Sequence, residues 1–124
     1  MNIIISNSAH EPIYEQIAVQ IKDSIINSEL KEGELLPSIR ALARELGISV
    51  ITTKRAYDEL EKDGFITTVP GKGCYVAPQN TELLRESRLK IIEDNLQKAV
   101  DAAKSIEIGL DDLKYMIEIL YKEV

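Results

Sequence analysis

The chain has 124 residues, 44% of them hydrophobic and 29% charged, with five tyrosines, one phenylalanine and no tryptophan. This composition predicts one compact, water-soluble domain with a short appendage and a mostly aliphatic core. Its apolar runs are too short for a membrane span or a secretory signal, and its single cysteine excludes an internal disulfide, so we expect a cytoplasmic protein. The net charge of −6 argues against nucleic-acid binding by the chain as a whole, because cationic side chains bind phosphates.

The charge is unevenly distributed along the chain. Acidic residues lie mainly at 58–63 and throughout the C-terminal tail, whereas residues 36–56 carry a local excess of +3. This basic segment is therefore the part of the chain suited to binding phosphates. Its charged residues are Arg40, Arg44, Lys54 and Arg55, with Glu45 as the one acid.

Residues 11–28 predict the first helix, because isoleucines recur there at positions 13, 17, 21 and 25. Pro12 suits the first helical position, where its missing N–H leaves no hydrogen bond unmade. The following "ELKEGELLP" predicts a turn, since Gly33 supplies backbone freedom and Pro37 prevents a continuous helix.

Two helices separated by a glycine come next. Ser38 is the predicted N-cap of "IRALAREL", and Gly47 is predicted to end this helix. Ser49 then caps a helix over residues 50–63, and Gly64 ends it. This arrangement is the helix-turn-helix signature. The side chains predicted to face inward from the second helix of the pair are Thr53, Ala56, Tyr57 and Leu60.

The runs "FITTV" at 65–69 and "CYVA" at 74–77 predict a β-hairpin, because "PGKG" between them has the residues of a tight turn. A helix, a helix-turn-helix and a hairpin in this order predict a winged helix, so the fold class is mainly α with a small β wing. We assign residues 1–78 to this domain. A nucleotide phosphate loop is not predicted, because that motif requires Ser or Thr after "GK" and then a helix.

The run "VITT" at 50–53 places four β-branched residues at a helix start, where such side chains are unfavourable. We interpret the exposed members as a surface that contacts DNA, since apolar groups suit thymine methyls and hydroxyls bind bases or phosphates. The alternative is a buried helix start with solvated cations beside it. The residues expected at this surface are Ser49, Val50, Ile51, Thr52, Lys54 and Arg55.

Three single residues carry separate interpretations. Lys72, at the glycine-rich hairpin tip, suits a DNA phosphate. Cys74 is most simply a small buried hydrophobic residue, because a redox sensor needs an activated and accessible thiolate. His10 has no partner ligand or nucleophile at a recognisable spacing and is expected at the surface. Since no catalytic set, metal-ligand cluster or cofactor motif emerges, we predict neither an enzyme nor a cofactor.

Residues 79–124 form the predicted second segment. Apolar residues recur there at alternating spacings of three and four, which predicts a long amphipathic helix, a break at Gly109 and a second helix. The two stripes either pack on the winged helix of the same chain or join two copies, and we favour a dimer. The residues expected at the dimer interface are Leu89, Ile92, Leu96, Ala99, Ala103, Leu113, Ile117 and Leu120. Ile106, Leu110 and Val124 continue the stripes.

Residues 11–77 resemble the DNA-binding domain of the GntR family of bacterial regulators, because "LPSIRALA", "TTKRAYDELEKDGFI" and "GKGCYV" occur in the family's order. The short tail resembles that of the YtrA-like subfamily, whose members are homodimers that commonly repress neighbouring genes, often ABC-transporter operons. The resemblance implies DNA contacts at the start of the helix 39–46, on the helix 50–63 and at the wing tip. Matched onto this chain, the contact residues are Ser38, Arg40, Ser49, Thr52, Lys54, Arg55, Gly71, Lys72 and Gly73. The chain departs from the family pattern at three positions. Many relatives have Gly in place of Ser28, Arg or another polar residue in place of Val50, and Asn or Thr in place of Ile51.

The sequence therefore predicts a homodimeric repressor that binds double-stranded DNA at an inverted repeat, with half-sites about 10 base pairs apart or a multiple of that. The alternative is a winged-helix protein-interaction module without DNA binding, which the net charge favours and the basic segment does not. We expect no membrane partner. The operator, the regulated genes and any small-molecule effector are not predicted from these residues.

Overall fold

Five α-helices and a two-stranded antiparallel hairpin make up the computed structural model of the protein, which describes residues 1–123. By their internal contacts the residues divide into two compact units, Met1–Leu84 and a second unit that begins at Arg85. The mainly helical fold class with a winged helix-turn-helix is confirmed. Val124, which was expected to extend the second stripe, lies outside the described residues. The elements are α1 Ile13–Ile26, α2 Ile39–Leu46, α3 Val50–Lys62, β1 Ile66–Val69, β2 Gly73–Val76, α4 Thr81–Ser105 and α5 Leu110–Lys122.

Helix α1 supplies one wall of the core. Its isoleucines Ile17, Ile21 and Ile25 are buried, as their spacing predicts. The expectation that Pro12 occupies the first helical position is wrong, because its ψ of 153° is extended and places it at the N-cap. The helix still makes use of this residue, since the Pro12 carbonyl accepts hydrogen bonds from the next turn.

The caps of α2 and α3 form as predicted. Ser38 Oγ accepts a hydrogen bond from the Ala41 N–H at 3.0 Å, and Ser49 Oγ accepts one from the Thr52 N–H at 3.1 Å. Gly47 ends α2 with a φ of 69°, a left-handed conformation that glycine adopts without a Cβ penalty. The helix-turn-helix is therefore bounded by local interactions at each of its junctions.

Helices α1, α2 and α3 pack with the hairpin around one hydrophobic core. The four residues predicted to face inward from α3 are all buried. Among them, Tyr57 buries its ring and donates a hydrogen bond from its hydroxyl to the Pro37 carbonyl at 2.7 Å. Burial, and to a smaller extent the nearby Cys74, raises the pKa of the Tyr57 phenol. The buried core residues are Ile17, Ile21, Ile25, Leu30, Leu36, Leu42, Ala56, Tyr57, Leu60, Ile66 and Val76.

The wing is broader than the sequence indicates. Strands β1 and β2 pair from Ile66 with Val76 to Val69 with Gly73. The turn segment before α2 adds to the outer edge of β2, because Leu35 forms a bridge with Tyr75. The wing is thereby hydrogen-bonded to the segment that leads into α2, a contact between residues far apart in sequence.

The turn between the two tail helices differs from the prediction. Helix α4 ends at Ser105, so Ile106 lies in the turn, and Glu107 takes the left-handed φ of 61°. The Ile108 N–H then bonds back to the Ala103 carbonyl at 2.8 Å and caps the helix. Gly109, which was expected to break the helix, instead has a φ of −77° and is the N-cap of α5.

The tail helices expose most of the residues that were expected at a dimer interface. Within Leu110–Lys122 no residue is buried, and on α4 only one is. Of the predicted interface residues, Ala103 is buried and Ala99 and Leu113 are half-buried, whereas the others are exposed: Leu89, Ile92, Leu96, Ile117 and Leu120. Within residues 1–123, no helix combines the length and the hydrophobicity that a bilayer span requires.

Candidate nucleic-acid interface

The first turn of α3 presents an apolar surface to solvent. Val50 is 47% exposed and Ile51 is 82% exposed, whereas Thr53 is fully buried. The outward orientation predicted for Val50 and Ile51, and the inward orientation predicted for Thr53, are therefore observed. We call Val50 and Ile51 the rim of α3. A rim of stiff aliphatic groups at a helix N-terminus has the shape and chemistry to meet thymine methyl groups in a major groove.

The hydroxyl groups near the rim differ in whether their proton already makes a hydrogen bond within the protein. Ser49 Oγ accepts from the Thr52 N–H and donates to Thr52 Oγ1 at 2.8 Å, so its own proton is already used. The Thr52 hydroxyl proton is left for an outside acceptor. Ser38 Oγ acts only as the acceptor of its cap bond, which leaves its proton for a phosphate oxygen. Thr52 and Ser38 are therefore the better placed hydroxyl donors.

The two cations after the rim make different contacts. The Lys54 Nζ lies 2.8 Å from Asp58 Oδ2, one turn later on α3, and both side chains are mostly exposed. This hydrogen bond and the Asp58 charge raise the pKa of Lys54, so the lysine stays protonated. The Arg55 guanidinium instead stacks on the ring of Tyr14 in α1, 3.8 Å from its centroid.

The hairpin tip has the backbone conformation that brings a chain close to a large partner. Gly71 and Gly73 have φ values of 77° and 122°, and Lys72 between them is exposed. The Lys72 N–H closes the turn on the Val69 carbonyl at 2.9 Å. A side chain at Gly73 would be strained and would also meet Leu35, since an added Cβ would lie 3.2 Å from Leu35 Cδ1.

Three elements of the winged helix carry the expected DNA-binding residues, and hydrogen bonds connect these elements. The Tyr57 hydroxyl ties α3 to the carbonyl just before the α2 cap, and Glu61 Oε2 accepts from the Thr68 N–H of β1 at 2.8 Å. All the predicted contact residues thus belong to the unit Met1–Leu84, with Arg40 exposed in the first turn of α2. The predicted dimer residues belong to the unit that begins at Arg85.

Sequence patterns do not single out Tyr14 or Glu61, and they place Tyr57 in the core without its hydroxyl partner. Only for Tyr57 could the sequence have indicated a missing partner, because a tyrosine at an inward helical position needs a hydrogen-bond acceptor for its hydroxyl. Tyr14 and Glu61 carry no such signal. Their partners, Arg55 and Thr68, become neighbours only through the packing of α1 and β1 against α3.

The remaining chemistry-bearing residues form no site in the described part of the chain. Within residues 1–123, no group of three or more His, Cys, Asp and Glu side chains is placed to hold a metal ion. Cys74 is half-buried and its Sγ lies 3.4 Å from Thr68 Oγ1, and His10 is exposed.

Residues 13–76, just over half of the chain, match the family described as "Bacterial regulatory proteins, gntR family". The chain is 33% identical over 113 residues to the HTH-type transcriptional repressor YtrA of Bacillus subtilis, a match that covers 91% of this chain and 87% of the relative. YtrA from Sulfolobus acidocaldarius, a GntR-family transcription factor, is 39% identical with a TM-score of 0.60, covering 77% of this chain and 97% of that one. A transcriptional regulator from Oenococcus oeni superposes with a TM-score of 0.75 at 25% identity, covering 94% of this chain and 97% of that one.

These relatives match the helix-turn-helix, the wing and most of the short tail, and their names describe transcriptional regulators rather than enzymes. The exposed rim, the capped helix pair and the glycine-rich wing tip lie inside the matched residues 13–76. The protein is a transcriptional regulator with a DNA-binding winged helix, and it belongs to the GntR family.

Proposed function

We propose that the protein is a homodimeric repressor that binds an inverted-repeat operator in the cytoplasm. The observation that carries this proposal is the rim of α3, where Val50 and Ile51 are exposed at a helix N-terminus and are followed one turn later by the cations Lys54 and Arg55. A DNA major groove suits both kinds of group at once, because it offers thymine methyl groups to the apolar side chains and phosphates along its edges to the cations.

Each part of the interface has a separate role in this mechanism. The first turn of α3 enters the major groove, where the rim meets thymine methyls and the Thr52 hydroxyl bonds a base edge or a phosphate. Arg40 and Lys54 neutralise phosphates beside the groove, and Lys72 does so from the wing. Gly71 and Gly73 permit the close approach of the wing backbone.

Dimerisation through the tail would supply the second half-site. Leu89, Ile92 and Leu96 are exposed on α4, and Ile117 and Leu120 are exposed on α5. Covering such stripes with a second copy removes apolar surface from water and makes the second half-site contact effectively intramolecular. The YtrA relative is named as a repressor, which supports repression as the outcome. An ABC-transporter operon next to the gene is the target that the family resemblance suggests.

The test is a quantitative binding assay on the DNA upstream of the protein's own gene. With Arg40, Lys54 and Lys72 from each of two subunits on phosphates, the slope of log affinity against log salt should be at least as steep as about −5, and affinity should fall at least about a thousandfold between 50 and 200 mM salt. Equal affinity for unrelated DNA of the same length, or no response to salt, would refute the proposal.

Two lysines provide a matched pair of variants. Lys54 and Lys90 each bind an aspartate four residues later at 2.8 Å, and both are mostly exposed, so truncation costs the fold about the same in each. Lys54→Ala should weaken operator binding and make the salt slope less steep by about 2, whereas Lys90→Ala should leave both unchanged. Equal effects of the two variants would favour the protein-interaction module without DNA binding.

Sedimentation analysis tests the dimer. Ile117→Glu places a charge inside the proposed interface and should produce monomers, because an unpaired buried carboxylate is strongly unfavourable. Tyr115→Glu is the control, since Tyr115 is exposed on the opposite side of α5 and its substitution should leave the dimer intact. A monomeric wild type, or dissociation by both variants alike, would contradict dimerisation through this face.

A further inference from the structure

Tyr14 and Arg55 form a stacked pair that joins α1 to α3, the second or recognition helix of the helix-turn-helix. The Arg55 Cζ lies 3.8 Å from the centroid of the Tyr14 ring, which is the separation of flat stacking. Tyr14 is half-buried and packs against the hydrophobic core, so its ring has a fixed position. A guanidinium that lies on such a ring is held in one orientation although Arg55 itself is exposed.

Stacking leaves the hydrogen-bonding capacity of Arg55 unused. The contact occupies one face of the planar guanidinium, whereas its five N–H donors point outward in the plane. Within residues 1–123 no carboxylate forms an ion pair with Arg55, in contrast to Lys54, which is bound to Asp58. Arg55 therefore presents an oriented fork of donors with no direct carboxylate partner, the geometry that binds a phosphate through two parallel hydrogen bonds.

The two cations lie on opposite flanks of the exposed face of α3. Successive residues in a helix are about 100° apart, so Lys54 and Arg55 stand on either side of the direction in which Ile51 points. Lys54 lies on the same flank as Glu61, whose carboxylate accepts a hydrogen bond from the wing strand β1. Arg55 lies on the other flank, which faces α1, where it contacts Tyr14. A helix in a major groove has one phosphate backbone on each side, and in the first half of α3 each flank thus has one cation.

We propose that Tyr14 is a positioning residue for DNA binding, which holds the Arg55 guanidinium so that its N–H edge binds a phosphate on the α1 side of the major groove. This inference rests on the proposed function. Tyr14 itself touches no DNA and acts through Arg55. The stack matters because an exposed arginine otherwise loses side-chain freedom when it binds, and orienting it beforehand lowers that loss.

A double-mutant cycle in operator binding tests the proposal, with Tyr14→Leu, Arg55→Ala and the double variant. Arg55→Ala should weaken binding on the order of tenfold and make the salt slope less steep by about 2 for the two subunits. Tyr14→Leu should weaken binding about threefold in the wild-type background, and this loss should vanish in the Arg55→Ala background. Tyr14→Phe keeps the ring and should retain wild-type affinity.

The second cation–π pair of α1 is the control. Lys22 Nζ lies 5.3 Å from the centroid of the Phe65 ring, so Lys22→Ala removes a similar contact without removing a proposed DNA contact, and it should not change affinity or salt slope. Arg55→Lys, which keeps the charge at an exposed position, should still lose affinity because an ammonium lacks the stacked planar fork.

Several results would overturn the inference while leaving the proposed function intact. These are an equal loss from Tyr14→Leu with and without Arg55, an unchanged salt slope in Arg55→Ala, or full affinity in Arg55→Lys. The last variant decides the question even if Tyr14→Leu lowers the folded fraction. Absence of specific, salt-dependent operator binding by the wild type would instead refute the proposed function, and the inference with it.

Discussion

Tyr57→Phe isolates the hydrogen bond that connects the recognition helix to the segment before α2. The substitution removes one hydroxyl and leaves the buried ring in place. The lost bond, from the Tyr57 hydroxyl to the Pro37 carbonyl, is short at 2.7 Å. A net hydrogen bond contributes about 1 kcal/mol, and a carbonyl left without a partner adds to the loss, although water reaches the half-buried Pro37 in part. We expect a decrease of about 1–2 kcal/mol in the free energy of unfolding.

Urea denaturation followed by circular dichroism at 222 nm measures this loss. The protein concentration has to be the same for all variants, because association makes stability concentration-dependent. The midpoint should fall while the m-value stays unchanged, and the melting temperature should drop by about 4 °C per kcal/mol. Tyr121→Phe is the matched control, since this tyrosine is 89% exposed and the same chemical change should be neutral there.

Two results would contradict a stabilising role of the Tyr57 hydrogen bond. A Tyr57→Phe variant with wild-type stability would show that the Pro37 carbonyl finds an equivalent partner in water, and that the bond does not hold the two helices of the helix-turn-helix together. A loss of similar size in Tyr121→Phe would show that the effect is not specific to the buried hydroxyl.

Three further outcomes follow from individual backbone and side-chain environments. Burial raises the pKa of Tyr57, so the unfolded chain releases the phenol proton near pH 10 while the folded protein keeps it. In urea titrations above that pH, the difference in free energy of unfolding between the wild type and Tyr57→Phe should therefore shrink by up to about 1.4 kcal/mol per pH unit. Gly73→Ala should lower the free energy of unfolding by about 1–3 kcal/mol, because its φ is 122° and the new Cβ would crowd Leu35. Gly109→Ala, in open space at a φ of −77°, should cost less, since it loses only the preference of an N-cap for glycine over alanine. Glu107→Gly should raise the melting temperature, since relief of a left-handed φ of 61° in a non-glycine residue is worth about 1 kcal/mol, and an unchanged melting temperature would contradict this.

Local signals in the sequence predict the helices and their ends well. Ser38 and Ser49 form the expected cap bonds, because an N-cap serine interacts with an N–H only three residues away. The inward positions of α3 follow from the 3.6-residue period alone. The exposed rim at Val50 and Ile51 could be inferred in the same way, since the buried face of the helix defines the opposite one.

The contacts that connect these elements could not be inferred, because they join residues far apart in sequence. Tyr57 and Pro37 are 20 residues apart, and nothing in either residue's neighbourhood selects the other. The pairing of Leu35 with Tyr75 depends in the same way on the packing of the whole domain. The tail turn was misplaced for a different reason: Gly109 is a strong helix-ending signal, but the chain ends α4 earlier and makes that glycine the N-cap of the next helix.

The net negative charge of the DNA-binding unit is compatible with its function and restricts the orientations in which the unit can approach DNA. Met1–Leu84 contains eight Lys and Arg residues against twelve Asp and Glu residues, a net charge of −4. Three of these acids, Glu15, Glu59 and Asp63, line one open groove between α1 and α3, with a volume of about 190 Å³. The three carboxylates of this groove repel phosphates, which are attracted instead to the cations of the proposed DNA-binding surface, Arg40, Lys54, Arg55 and Lys72. Under the proposed mechanism we therefore expect other orientations to be disfavoured before contact, so that the net negative charge weakens non-specific binding more than specific binding.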